Sequence, residues 1–134
     1  MSHLKRATAA LMFAVCGVVH AHDAAEEKIQ PVMRQAIPEV TGKNVLMATV
    51  SYTPGQASEA HMHTGSVFAY VLEGHVMSQL EGSPTKTYGP GESWYEAPGT
   101  HHLVSRNASK TKPAKLLVFA IVGEQEPVKQ PIPH

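Results

Sequence analysis

His61-Met62-His63 places two imidazoles two residues apart, and His101-His102 adds a second pair about forty residues further on. In an extended strand, residues i and i+2 point to the same side about 6.5 to 7 Å apart. His61 and His63 therefore face one way and Met62 the other. Two imidazoles so placed can converge on one cation at about 2.0 to 2.1 Å. A barrel that lays a later strand alongside supplies a third from 101 or 102. Neighbouring strand residues face opposite sides, so only one of that pair reaches the same ion. Taken alone, an H-x-H pair also fits a solvated strand face, and its context has to decide.

The context is β-rich. From Asn44 the chain breaks into short runs of β-branched and aromatic residues separated by Gly and Pro, the pattern of an all-β sandwich or barrel. Strands are predicted at 45–52, 59–63, 67–72, 75–80, 85–88, 92–96, 101–106 and 115–122. Pro54-Gly55, Gly74, Pro90-Gly91 and Pro98-Gly99 supply the turn chemistry between them. Residues 22–43 form an N-terminal arm whose mix of Ala, Glu, Gln and Lys with Pro31 and Pro38 fits either a short helical turn or an extended segment. The tail 124–134 is Pro-rich, without periodicity, and is expected to be extended.

Lys5-Arg6 precedes an apolar run from Ala7 to Val19, and Val19-His20-Ala21 offers small residues where a signal peptidase cuts. The run is shorter than the roughly 20 residues a membrane span needs. The expectation is a signal peptide over 1–21 and a periplasmic or secreted chain with no membrane partner after cleavage. Val15 is too bulky for a lipobox at Cys16. Beyond residue 21 there is no cysteine, so a core rather than disulfides must stabilise the fold. Removing Lys5 and Arg6 leaves nine basic against eleven acidic side chains, a formal charge of −2. No basic run is dense enough for a polyanion, which argues against nucleic acid.

At 134 residues the chain is one domain by length, placed here at 44–123. The segment GQASEAHMHTGSVFAYVLEG, residues 55–74, resembles the first motif of the cupins, G-x5-H-x-H-x3-4-E-x6-G, at every fixed position except the glutamate. GESWYEAPGTHH, residues 91–102, resembles the second, G-x5-P-x-G-x2-H-x3-N, with Ala97 where proline is usual and the asparagine one residue late at Asn107. The resemblance implies a single-domain antiparallel jelly-roll barrel that holds one divalent metal ion. Carried over by position, the ligands are His61, His63 and His102, with His101 on the outer face or the rim.

Where the family places its glutamate, this chain has Val67. Three neutral imidazoles leave the ion's charge uncompensated, which favours Zn²⁺, Cu²⁺, Ni²⁺ or Fe²⁺ over Mn²⁺ and opens a face to a small-molecule substrate or ligand. Glu96 is a candidate replacement from the strand leading to His102, and Tyr70, Gln79 and Glu96 are candidate substrate contacts. Arg34 and Arg106 are the arginines left to clamp a carboxylate. Met47, Met62 and Met77 would suit copper, although scattered methionines usually fill cores. The other aromatics, Phe68, Trp94, Tyr95 and Phe119, are expected in the core or at the mouth, with Trp94 and Tyr95 on opposite faces. Asn107-Ala108-Ser109 fits both a glycosylation acceptor and a turn. The functional expectation is a metal-dependent cupin with oxygenase-type or isomerase-type activity. The alternative is a non-catalytic metal- or ligand-binding module, and in either case the arm could pair two copies into a homodimer.

Overall fold

The structure, a computed structural model, describes residues 26–134. The signal segment 1–21, Cys16 and His22 lie outside the described residues. Ten strands follow one another: β1 (Lys28–Ala36), β2 (Lys43–Tyr52), β3 (His61–Met62), β4 (Val67–Glu73), β5 (Val76–Leu80), β6 (Lys86–Tyr88), β7 (Ser93–Glu96), β8 (His101–Asn107), β9 (Ala114–Gly123) and β10 (Gln130–Pro131). They form two antiparallel sheets, ordered β1-β2-β9-β4-β7 and β10-β3-β8-β5-β6. The fold is an all-β jelly-roll barrel, as the turn spacing and the motifs imply.

Strand alternation decides what lies inside. Leu46, Ala48, Val50 and Tyr52 on β2, and Val67, Ala69 and Val71 on β4, turn inward. Val50, Tyr52, Ala69, Val71 and Trp94 from the first sheet meet Val76 from the second in one cluster, and Leu46, Val67, Ala120 and Val122 form another. Alanines 48, 69, 114 and 120 hold inward positions, which keeps the barrel narrow. Its bulky aromatics consequently sit outside. Phe68, Tyr70, Tyr95 and Phe119 are 38 to 48 % exposed, so among the aromatics expected in core or mouth only Trp94 is buried. The opposed faces of Trp94 and Tyr95 follow the strand period.

Two strands go beyond the sequence reading. β1 is exposed along its whole length, so no apolar alternation marks it. Its sheet-edge position tolerates Pro31, and its register with β2 shifts between Pro31 and Met33. β10 folds the tail back onto β3, with Gln130 opposite Met62 and Pro131 opposite His61. Asn107 is 1 % exposed. Its Nδ2 donates to the carbonyls of Thr53 (3.1 Å) and Lys112 (2.7 Å), while Oδ1 accepts from Ser109 N (2.9 Å). That amide clamps a turn, so the acceptor reading fails for want of an accessible nitrogen.

Gly74 turns the chain from β4 to β5 at φ +69°, and a Cβ there would stand 2.3 Å from Pro113 O and 2.9 Å from Ala114 Cα. Both obstacles are backbone and cannot swing aside. Gly74→Ala is expected to lower stability by more than about 2 kcal/mol, combining left-handed strain of about 1 to 2 kcal/mol with the clash. Denaturant unfolding checks this, and a loss below about 1 kcal/mol would contradict the packing described.

Candidate metal centre

β3 and β8 pair antiparallel with His61 directly opposite His102. His63, the residue after β3 and two beyond His61, returns to the same side. The His61 ring lies 4.9 Å from that of His63 and 5.0 Å from that of His102, centroid to centroid. One nitrogen from each of the three lies within 4.8 Å of the other two, a span comparable with two metal–nitrogen bonds end to end, about 4.2 Å. All three are buried, at 7, 8 and 2 % exposure. His101 points the other way, toward the rim, where its Nδ1 lies 3.0 Å from Glu81 Oε2.

Each inward ring is held by one nitrogen and offers the other. His61 Nδ1 donates to Glu59 O at 2.7 Å, His63 Nδ1 is held short against Val128 O, and His102 Nε2 bonds Ser78 Oγ at 2.8 Å. The nitrogens those bonds leave free are Nε2 of His61, Nε2 of His63 and Nδ1 of His102. Outer partners of this kind fix tautomer and ring orientation in metal sites. Burial lowers the His61 pKa to about 4, helped by repulsion from His102 and His63 and opposed by the bond to Glu59. That imidazole is neutral at physiological pH, with its lone pair available.

Glu96 enters the same space from β7 and is 2 % exposed. Its Oε1 accepts from Trp94 Nε1 at 2.9 Å and lies 3.2 Å from His102 Nδ1, while Oε2 stands 3.5 Å from His63 Nε2. Burial alone would raise this carboxyl's pKa, but the His102 and His63 rings outweigh it and hold the group below its ordinary value. Among the described residues, the buried side-chain atoms without a hydrogen-bond partner are Glu96 Oε2 and His102 Nδ1. Three buried imidazoles with ligand nitrogens within 4.8 Å of one another fit a divalent cation, and the unpartnered Glu96 Oε2 and His102 Nδ1 lie beside them.

The other candidates fall elsewhere. Tyr70 is excluded from the site by strand parity, since Ala69 and Val71 turn inward and Tyr70 is 45 % exposed on the outer sheet face. Gln79 is likewise turned out: Ser78 takes the inward position on β5, and Gln79 Nε2 reaches Ser83 O at 3.3 Å. Arg34, Arg106, Met47, Met62 and Met77 do not line the cavity beside the histidines, so neither an arginine clamp nor a thioether copper site forms there. That cavity measures about 50 Å³. Val50, Ala69, Leu116, Val118 and Val128 give it apolar walls.

Several contributors escaped the sequence reading. Ser78 could have been found from parity with Val76. Val128 and the Lys129 Nζ–Glu27 Oε1 pair, at 2.5 Å, bring the tail and the β1 end together over the cavity. Neither segment carries a period or motif that announces this. Tyr52 is buried with its hydroxyl bonded to Ser58 Oγ (2.7 Å) and Ser105 Oγ (2.9 Å), and burial raises its pKa.

The Cupin domain family matches residues 48–120, more than half of the chain, and the chain belongs to that family. The DMSP lyase DddQ of Ruegeria pomeroyi DSS-3 is similar over 85 % of this chain and 55 % of its own, with a TM-score of 0.65 at 19 % identity. This chain thus spans about half the length of that lyase. A protein of Thermus thermophilus matches at 30 % identity over 71 % of this chain and 82 % of its own, TM-score 0.57. An oxalate oxidase matches at 25 % identity over 66 % and 52 %, TM-score 0.52. No curated protein sequence is significantly similar.

In the metal-free protein, His61 takes its proton near pH 6.5 when unfolded and near pH 4 when folded. The unfolded state holds more protons between those values, so stability rises with pH across the window. A loss of up to about 3 kcal/mol is expected on acidifying from pH 6.5 to 4, and His61→Asn should flatten that slope. Denaturant titrations at a series of pH values measure it, and a wild-type stability that stays level there would refute a buried neutral His61. Deleting residues 124–134 removes the Val128 carbonyl from His63 and is expected to weaken metal binding about 10- to 100-fold, read by chelator competition.

Proposed function

We propose that this cupin is a mononuclear metal enzyme acting on a very small oxygen-donor molecule, of the size of dioxygen or a short carboxylate. The observation that carries the reading is the convergence of three locked imidazoles on a cavity of about 50 Å³. Such a volume, at about 10 to 15 Å³ per water, takes a few waters or a ligand of a few heavy atoms. Drug-sized ligands need about 300 Å³ or more. A divalent ion bound there supplies Lewis acidity toward an oxygen donor and acidifies coordinated water.

The remaining work falls to the chain. His61 presents a deprotonated nitrogen because burial keeps it neutral. The valine, alanine and leucine walls keep bulk water out, which strengthens every charge interaction inside. The Tyr52 hydroxyl keeps its proton and, with Ser58 and Ser105, gives the apolar cavity a polar handle to orient a substrate oxygen. Sharing a fold with an oxalate oxidase and a DMSP lyase supports an enzyme, and oxygenase-type and isomerase-type chemistry both fit a three-imidazole centre. A non-catalytic metal-holding module is the second reading, favoured by the tail and the Lys129–Glu27 pair that cover the site.

Export belongs to the same proposal, supported by Lys5-Arg6 ahead of the apolar run to Val19. So does a homodimer, supported by the exposed Phe68, Tyr70, Tyr95 and Phe119 on one sheet face. Protein purified from the exported fraction should carry close to one divalent ion per chain, and His61→Ala with His63→Ala should abolish it. Retention of the ion by the double variant would overturn the three-imidazole reading. Oxygen uptake with short-chain acids, diketones and thiols separates the enzyme from the module: turnover supports the first, and tight metal with no uptake the second.

A further inference from the structure

The geometry points to Glu96 Oε2 as a fourth protein ligand to the metal, delivered from β7 where the sequence pattern calls for a carboxylate at position 67 on β4. The inference rests on the three-imidazole reading and extends it. Val67 and Glu96 are direct cross-strand partners in the β4–β7 pair. Both are buried, at 2 % exposure each. Directly paired residues have Cβ atoms about 4.5 to 5.5 Å apart on the same face of the sheet. A carboxylate moved from one to the other therefore still enters the same interior space.

The contrary reading makes Glu96 an outer partner that orients a histidine. An outer partner bonds the ring nitrogen that points away from the metal. In His63 that nitrogen, Nδ1, is already held by Val128 O, and in His102 the corresponding Nε2 is held by Ser78 Oγ. Glu96 instead lies against the ring nitrogens that those bonds leave free, 3.5 Å from His63 Nε2 and 3.2 Å from His102 Nδ1. Ligand atoms bound at about 2.0 to 2.2 Å to one tetrahedral or octahedral ion stand about 3.0 to 3.5 Å apart. Both distances match edges of such a polyhedron. Trp94 Nε1 holds Oε1, so the carboxylate cannot turn freely, and Oε2 is left buried without a hydrogen bond.

The consequence concerns metal choice. One carboxylate beside three neutral imidazoles reduces the uncompensated charge of a divalent ion from two to one. Harder ions such as Mn²⁺ are thereby readmitted beside Fe²⁺ and Zn²⁺, which corrects the preference inferred from Val67 alone.

Full-length protein, stripped and reloaded with Co²⁺, provides the test, with affinity read by chelator competition and coordination by the visible d–d absorption. Glu96→Gln is expected to weaken Co²⁺ binding more than about 100-fold, beyond the 10- to 100-fold that outer partners contribute, and to change the d–d spectrum. Glu96→Asp keeps the charge but withdraws the oxygen by one methylene, so it too should alter the spectrum, and it serves should the Gln variant fail to fold. An unchanged spectrum in the folded variants overturns Glu96 as a ligand whatever the affinity does. That result would leave the three-imidazole reading standing, because His61→Ala with His63→Ala tests it separately.

Discussion

Desolvation of the polar side chains at the centre of the barrel is the constraint on which everything else depends. Three imidazoles and a carboxylate share a space walled by valine, alanine and leucine. Charged groups there would be expensive unless paired or bound to a cation. Burial keeps His61 neutral, and the rings of His102 and His63 keep Glu96 ionised. The four side chains thus form a polar cluster in an apolar shell, and the three histidines among them are placed where they could hold a metal ion.

The architecture serves that pocket by being narrow. Small side chains at inward positions draw the two sheets together and push the large aromatics to the outer face. A wider barrel would accommodate a larger ligand but would separate β3 from the strands that complete the centre. The direct pairing of β3 with β8 sets His61 against His102 within one sheet, while β7 brings Glu96 from the other. The site therefore straddles the core and inherits its rigidity from both sheets.

Closure comes from segments with little intrinsic preference. β1 is exposed along its length and β10 is two residues long, yet β1 takes the edge of one sheet and β10 the edge of the other. Their link is polar: Lys129 reaches Glu27, which is buried beside the cavity. Next to that link, Val128 turns its carbonyl to His63 and its side chain to the apolar cluster. A tail that reads as an irregular extension thereby becomes part of the shell that orients His63.

Much of this was legible from residue order. Strand period put His61 and His63 on one side and divided Trp94 from Tyr95, because alternation is a local property of extended backbone. Turn chemistry located the eight central strands, and two separated motifs identified the cupin barrel. What the residue order could not decide required knowing which strand lies beside which. Glu96 stayed ambiguous until pairing set it across from Val67, and Tyr70 and Gln79 looked eligible until the inward faces of β4 and β5 were fixed. The roles of Ser78, Val128, Glu27 and Lys129 arise from contacts between distant segments, and such contacts leave no period in the chain. Sequence alone determined the barrel and its histidines, because both are written in short-range spacing; only the tertiary structure decided which carboxylate lies beside them and what closes the site, because those depend on strand register and burial.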